Sequence, residues 1–195
     1  MAPTLPAAHP PAHPPVPTVS AWVARWAAAI RPAGSVLDVA CGSGRHARHL
    51  AARGHRVEAV DRDAAALGTL VETPGITTRC ADLEAGAWPY DGAVFDGIVV
   101  TNYLHRPLLP RIAATLAPGG VLIYETFRIG NESYGKPSSP AFLLRPGELL
   151  AFVLDAGLQV AAFEDGFCAS PRPAMIQRIC AVKVPLLSPE QVRLE

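Results

Sequence analysis

The sequence has little that would tie it to a metal, a membrane or a polyanion. Its cysteines number four and stand alone as Cys41, Cys80, Cys168 and Cys180. No C-x-x-C pair occurs, which argues against a zinc site, and scattered thiols point to a reduced, cytoplasmic protein. No apolar run approaches the ~18 residues of a membrane span. The N-terminus has neither a basic stretch nor an apolar segment, so no secretory signal is expected. Neither charge is in excess: Lys+Arg and Asp+Glu both number 17. That balance argues against an extended nucleic-acid surface and against an acidic-membrane binder.

What is present suits one folded domain. The chain has 195 residues, 50% hydrophobic and 17% charged, enough for a sizeable core. Residues 1–17 are a run of Pro, Ala and His in which proline removes amide donors, and they are expected to be a disordered, polyproline-like tail. The domain is expected over 18–195. A helix should start at Thr18 or Ser20 and reach Ile30, with Trp22 and Trp26 on the core. Strands are expected at 35–40, 56–60, 76–80, 95–101, 121–126, 158–164 and 175–184. Helices are expected at 45–53, 63–71, 105–116 and 146–156. Such alternation implies an α/β fold with a mostly parallel sheet. Phe127 to Arg145 reads as a long loop, a lid or a mobile excursion.

Ligands of open α/β sheets sit beyond the carboxyl ends of the strands. The first such end is Asp38-Val39-Ala40-Cys41-Gly42-Ser43-Gly44-Arg45. Its glycines let backbone approach a ligand, and Gly42-Ser-Gly-Arg-His-Ala also fits the weak G-x-G-x-x-G/A dinucleotide fingerprint. Asp61 ends the second strand about 20 residues on, where an acid holds a ribose diol. A nicotinamide or flavin dinucleotide and S-adenosylmethionine both suit this pattern. Charge favours the second. Asp38 repels a pyrophosphate but attracts the ammonium of a methionine group. Arg45 opens a helix, where the dipole disfavours a cation unless an anion such as the methionine carboxylate lies near.

In these motifs the sequence resembles the class I S-adenosylmethionine-dependent methyltransferases, from about Ser35 to Lys183. Asp38 to Gly44 is similar to the family's first motif, an acid followed by G-x-G-x-G, with Ala40 in place of the first glycine. Asp61-Arg62 matches the ribose-binding acid, and Asp82-Leu83 the acid that meets the adenine amino group. Phe95 to Thr101 resembles the fourth strand, and Leu116-Ala-Pro-Gly-Gly the turn into the fifth. The resemblance implies a Rossmann-like fold: a seven-stranded, mostly parallel sheet with an antiparallel terminal strand and helices on both faces. It implies S-adenosyl-L-methionine as cofactor, S-adenosyl-L-homocysteine as product, and Asp38, Ala40, Gly42, Gly44, Arg45, Asp61, Arg62, Asp82, Leu83 and Thr101 at the cofactor.

The acceptor side should follow the fourth and fifth strands. Tyr103 and His105 are the catalytic candidates, since histidine titrates near neutrality, with Glu125 and Arg145 behind them. A near-minimal, neutral domain suits a small-molecule acceptor. No metal is expected. Asp63 reads as a helix cap, Cys41 as a space filler and Asp96 as the end of a turn. Two alternatives stand beside the enzyme: a methyltransferase-like binding subunit without catalysis, and a dinucleotide oxidoreductase.

Overall fold

The computed structural model describes residues 18–183. The expected tail at 1–17, and the expected domain and strand residues from 184 on, lie outside the described residues. Seven strands form one sheet in the order β3-β2-β1-β4-β5-β7-β6. They are β1 (Ser35–Val39), β2 (Arg56–Asp61), β3 (Ile76–Cys80), β4 (Phe95–Thr101), β5 (Leu116–Phe127), β6 (Gln159–Cys168) and β7 (Ala174–Val182). The first five run parallel, and β7 is antiparallel to both β5 and β6. The chain steps outward from β1 to β2 and β3, then returns to place β4 on the other side. That reversal leaves a crevice between β1 and β4.

The central strands are buried on both faces, and alternate residues feed two cores. Leu37, Val39, Ile98, Val100, Leu122 and Tyr124 join one core with α4 (Leu109–Ala114) and α5 (Glu148–Asp155). Val36, Val99, Val121 and Ile123 join the other with α1 (Ala21–Trp26), α2 (Arg45–Ala52) and α3 (Ala64–Gly68). Helices therefore cover both faces. Trp22 and Trp26 lie in the second core, Trp22 donating from Nε1 to the Ile179 carbonyl at 3.2 Å.

β3 and β4 have the expected bounds; other elements differ for local reasons. Ser20, not Thr18, caps α1, accepting from the Trp22 and Val23 amides. After Trp26 the helix tightens to a 3-10 turn and Ile30 is extended, because Pro32 disfavours helix at Arg31. The single helix expected over 105–116 is a 3-10 turn, Arg106–Leu108, followed by the short α4. Pro107 and Pro110 are tolerated in these first turns. The Pro118-Gly119 pair, expected from the sequence to stop the helix over 105–116, is with Gly120 part of a strand instead. It forms a bulge within β5, between the pairs Phe95–Leu116 and Gly97–Val121. The bulge is held by Gly119 N–H to the Lys183 carbonyl and Lys183 N–H to the Gly120 carbonyl. Asp96 does not end a turn. It lies in β4, accepts from the Ser35 amide at 2.7 Å and pairs with Arg31. The excursion after β5 is anchored: the buried Asn131 side chain donates to the Pro137 carbonyl and accepts from the Met175 amide.

Candidate functional site

Between β1 and α2 the chain passes through left-handed backbone at Ala40 (φ 52°), Gly42 (φ 55°) and Gly44 (φ 74°). Gly44 is required twice over. Its φ suits glycine, and a Cβ there would lie 2.4 Å from Leu70 Cδ1. The loop is tied to β2 by a side chain. Asp61 Oδ2 accepts from the Gly42 amide at 2.7 Å, and Oδ1 accepts from the Asp63 amide at 2.9 Å. Asp63 in turn caps α3 through the Ala65 and Ala66 amides.

These strand ends enclose a cavity of about 350 Å³. Of the residues anticipated from the sequence, Ala40, Asp61, Arg62, Asp82, Leu83 and Tyr103 line it. Asp82 Oδ1 accepts from the Glu84 and Ala85 amides, which holds this carboxyl below its ordinary value. Asp38, near the end of β1, is 1% exposed, and among the described residues neither oxygen has a hydrogen-bond partner. Burial pushes its carboxyl up to about 7, against the weaker pull of the Ala47 amide, which falls outside hydrogen-bond geometry, and of the Arg45 charge, while Asp61 adds to the rise. Burial, reinforced by the Glu84 and Asp82 charges, likewise raises the Tyr103 phenol, whose buried hydroxyl has no hydrogen-bond partner among the described residues.

Other anticipated residues lie elsewhere. Thr101 is buried at the end of β4 and does not line the cavity. Arg45 opens α2, donates to the Thr18 carbonyl at 3.2 Å and lines a separate cavity of about 390 Å³ beside Glu125. His105 is an extended residue before the 3-10 turn, and its charge acts on Asp82. Arg145 lines a separate groove between α4 and α5 with Arg106 and Glu148.

Two further residues shape the site. His46 is 1% exposed; burial, then the Arg45 and His49 charges, lower its pKa to about 3. Its Nε2 accepts from the Ser20 amide at 3.3 Å, so the neutral ring carries its proton on Nδ1, 3.2 Å from Thr101 Oγ1. His46 thus joins α2, β4 and the start of α1. Ser20 also donates from Oγ to Glu125 Oε1 at 2.7 Å, and Glu125 Oε2 lies 3.4 Å from Arg178. The second residue is Asn102 (φ 54°), whose amide donates to the Glu125 carbonyl. It borders the first cavity and two neighbours. An asparagine directly after a strand tolerates positive φ, and that was its signal in the sequence.

A family model for a methyltransferase domain matches residues 36–120, from β1 through the bulge of β5. Over those residues the chain is similar to methyltransferase domains. Protein-L-isoaspartate O-methyltransferase of Chlorobaculum tepidum is 37% identical to it over 107 residues, 52% of this chain and 48% of that protein. The chain thus matches about half the length of this relative. Among solved structures, the methyltransferase fold resembles TehB from Haemophilus influenzae with a TM-score of 0.71. The identity is 21%, over 85% of this chain and 63% of that one. It also resembles the 1,6-didemethyltoxoflavin-N1-methyltransferase of Burkholderia thailandensis, solved with its acceptor and S-adenosylhomocysteine bound. There the TM-score is 0.61 and the identity 20%, over 84% and 77% of the two chains. At these identities the structural likeness is one of fold.

Proposed function

We propose that the protein transfers a methyl group from S-adenosylmethionine to a small-molecule acceptor. The observation that carries this reading is Asp38, a buried carboxyl without a hydrogen-bond partner among the described residues, two residues before a loop of left-handed backbone. A buried, unpaired acid is costly unless a cation or donor meets it. The ammonium of the methionine group supplies one. Asp61 has lone pairs left for the ribose diol, and Asp82 and Leu83 stand where the adenine would lie, beside Arg62. Ala40, Gly42 and Gly44 give the loop its close approach, and Thr101 supports it from behind through His46. Arg45, at the start of α2, would reach the methionine carboxylate only by giving up its bond to the Thr18 carbonyl. A dinucleotide fits poorly: Asp61, Asp82 and Glu84 line the cavity against Arg62, and a pyrophosphate would meet mostly like charge.

The bound cofactor supplies an electrophilic methyl on a sulfonium. The chain's own part is to hold the acceptor atom about 3 Å from that carbon, in line with the leaving sulfur, and to exclude water. Tyr103, whose raised pKa keeps it a phenol, serves as a hydrogen-bond donor that orients the acceptor. A soft anionic acceptor such as a thiolate needs no base. For a protonated one His105 is the candidate base.

The test compares S-adenosylhomocysteine with 5′-methylthioadenosine, which lacks the amino-acid part. Asp38→Asn should weaken the first by about tenfold or more and leave the second nearly unchanged. Equal effects on both would remove Asp38 from the methionine site.

A further inference from the structure

The first cavity adjoins a second recess of about 470 Å³, and the two share Asn102, Pro137 and Phe142. The remaining walls of the recess are Phe127, Lys136, Ser138, Ser139 and Arg172. Its charge is opposite to that of its neighbour. The first cavity sets Asp61, Asp82 and Glu84 against Arg62, whereas the recess has Lys136 and Arg172 and no acid in its lining. Neither cation forms an ion pair with a carboxylate among the described residues. Arg172 instead lies over the Phe127 ring, 5.6 Å from its centroid. A guanidinium stacked this way keeps the in-plane N–H fork that matches an oxyanion. Nearby Arg178 is different, since Glu125 and Glu164 already hold it.

We propose that this recess seats the acceptor, and that the acceptor is a small organic anion. Its apolar body packs against Phe127 and Phe142, and its carboxylate or similar oxyanion meets Arg172 and Lys136. The inference rests on the reading of the first cavity as the cofactor site. Opposite fields in adjoining cavities then sort the ligands: the cationic donor goes to the acidic side and the anionic acceptor to the basic side. Asn102, on the shared rim with its side chain exposed, stands where the two ligands meet. In the transfer, a lone pair of the acceptor forms the new bond to the methyl carbon. The carbon–sulfur bond breaks, its electron pair stays on sulfur, and neutral S-adenosylhomocysteine remains. A proton on the attacking atom, where there is one, leaves to water.

The experiment uses the full chain, labelled with ¹⁵N and saturated with S-adenosylhomocysteine. Benzoate, benzamide and sulfate are titrated separately while the arginine Nε–H resonances are followed. Benzoate should move the Arg172 signal, identified by its disappearance in Arg172→Gln. Arg172→Gln and Lys136→Gln should each weaken benzoate by about tenfold, with cofactor-product affinity kept within about twofold. A protein that takes S-adenosylhomocysteine but shows no response to benzoate overturns the proposal alone. So does a response to benzamide or sulfate as strong as that to benzoate. A chain that fails to bind S-adenosylhomocysteine overturns the cofactor reading, and this inference with it.

Discussion

Asp61 Oδ2 receives the Gly42 amide at 2.7 Å, so the acid at the end of β2 fixes the loop at the end of β1. The same carboxylate takes the Asp63 amide through its other oxygen. One side chain therefore shapes the loop and faces the cavity. Asp61→Ala should cost stability by about 1–3 kcal/mol, since two amides lose their acceptor. It should also weaken S-adenosylhomocysteine by more than about tenfold. Urea unfolding and calorimetry measure the two effects separately; a loss of stability with full affinity would confine Asp61 to a structural role.

Gly44→Ala should be strongly destabilising. The left-handed backbone costs a Cβ about 1–2 kcal/mol, and overlap with Leu70 adds roughly 1–3 kcal/mol. Leu70→Ala removes the overlapping atoms, so the double variant should be less damaged than the sum of the two single ones. Additive losses in a double-mutant cycle would mean that the Leu70 contact is not the cause.

Stability should depend on pH through two buried groups of opposite sign. The Asp38 pKa is raised by burial from 3.8 to about 7. Its contribution is fully present below 3.8 and is lost as pH rises through about 7. The His46 pKa is lowered from 6.5 to about 3, chiefly by burial. Its contribution is present above 6.5 and is lost as pH falls toward about 3. Relative to the parent protein, Asp38→Asn should therefore gain more stability near pH 8 than near pH 5. His46→Gln should do the reverse, comparing better near pH 5 than near pH 8. Urea midpoints across that range give the answer, and parallel curves for parent and variants would contradict both assignments.

Glu148 is held to about 2 chiefly by Arg106, against the upward push of burial. Arg106 meets it with two bonds, Nε to Oε1 at 2.6 Å and Nη2 to Oε2 at 3.0 Å, and the Arg145 amide adds a third. Glu148→Gln should destabilise by about 1–3 kcal/mol, because the half-buried guanidinium loses its charged partner. S-adenosylhomocysteine affinity should not change, since this pair lies at the start of α5 and outside the cavity. A matching loss of affinity in the same titration would show that α5 is coupled to the site.

The sheet was legible because its central strands are apolar on both faces, as Phe95 to Thr101 shows, and because turn residues punctuate the chain. That Ala40, Asp61 and Asp82 line one cavity was legible for a related reason: each stands at or just past a strand end, and the topology brings strand ends together. Errors arose where long-range partners override local signals. Pro118-Gly119-Gly120 looks like a stop, yet Lys183 makes it part of a ladder. The bond of the Arg45 guanidinium to the Thr18 carbonyl, and its place on a neighbouring cavity, were equally hidden, because Thr18 and Arg45 are distant in sequence. The recess with Lys136 and Arg172 left no trace in the spacing, because β7 and the anchored excursion bring together residues distant in sequence.

The central claim is that the strand-end cavity takes S-adenosylmethionine rather than a dinucleotide. Calorimetric titration of the full chain with S-adenosylhomocysteine and, separately, with NAD tests it most directly. The account predicts binding of S-adenosylhomocysteine at roughly micromolar Kd and no heat from NAD. Binding of NAD without binding of S-adenosylhomocysteine would contradict it.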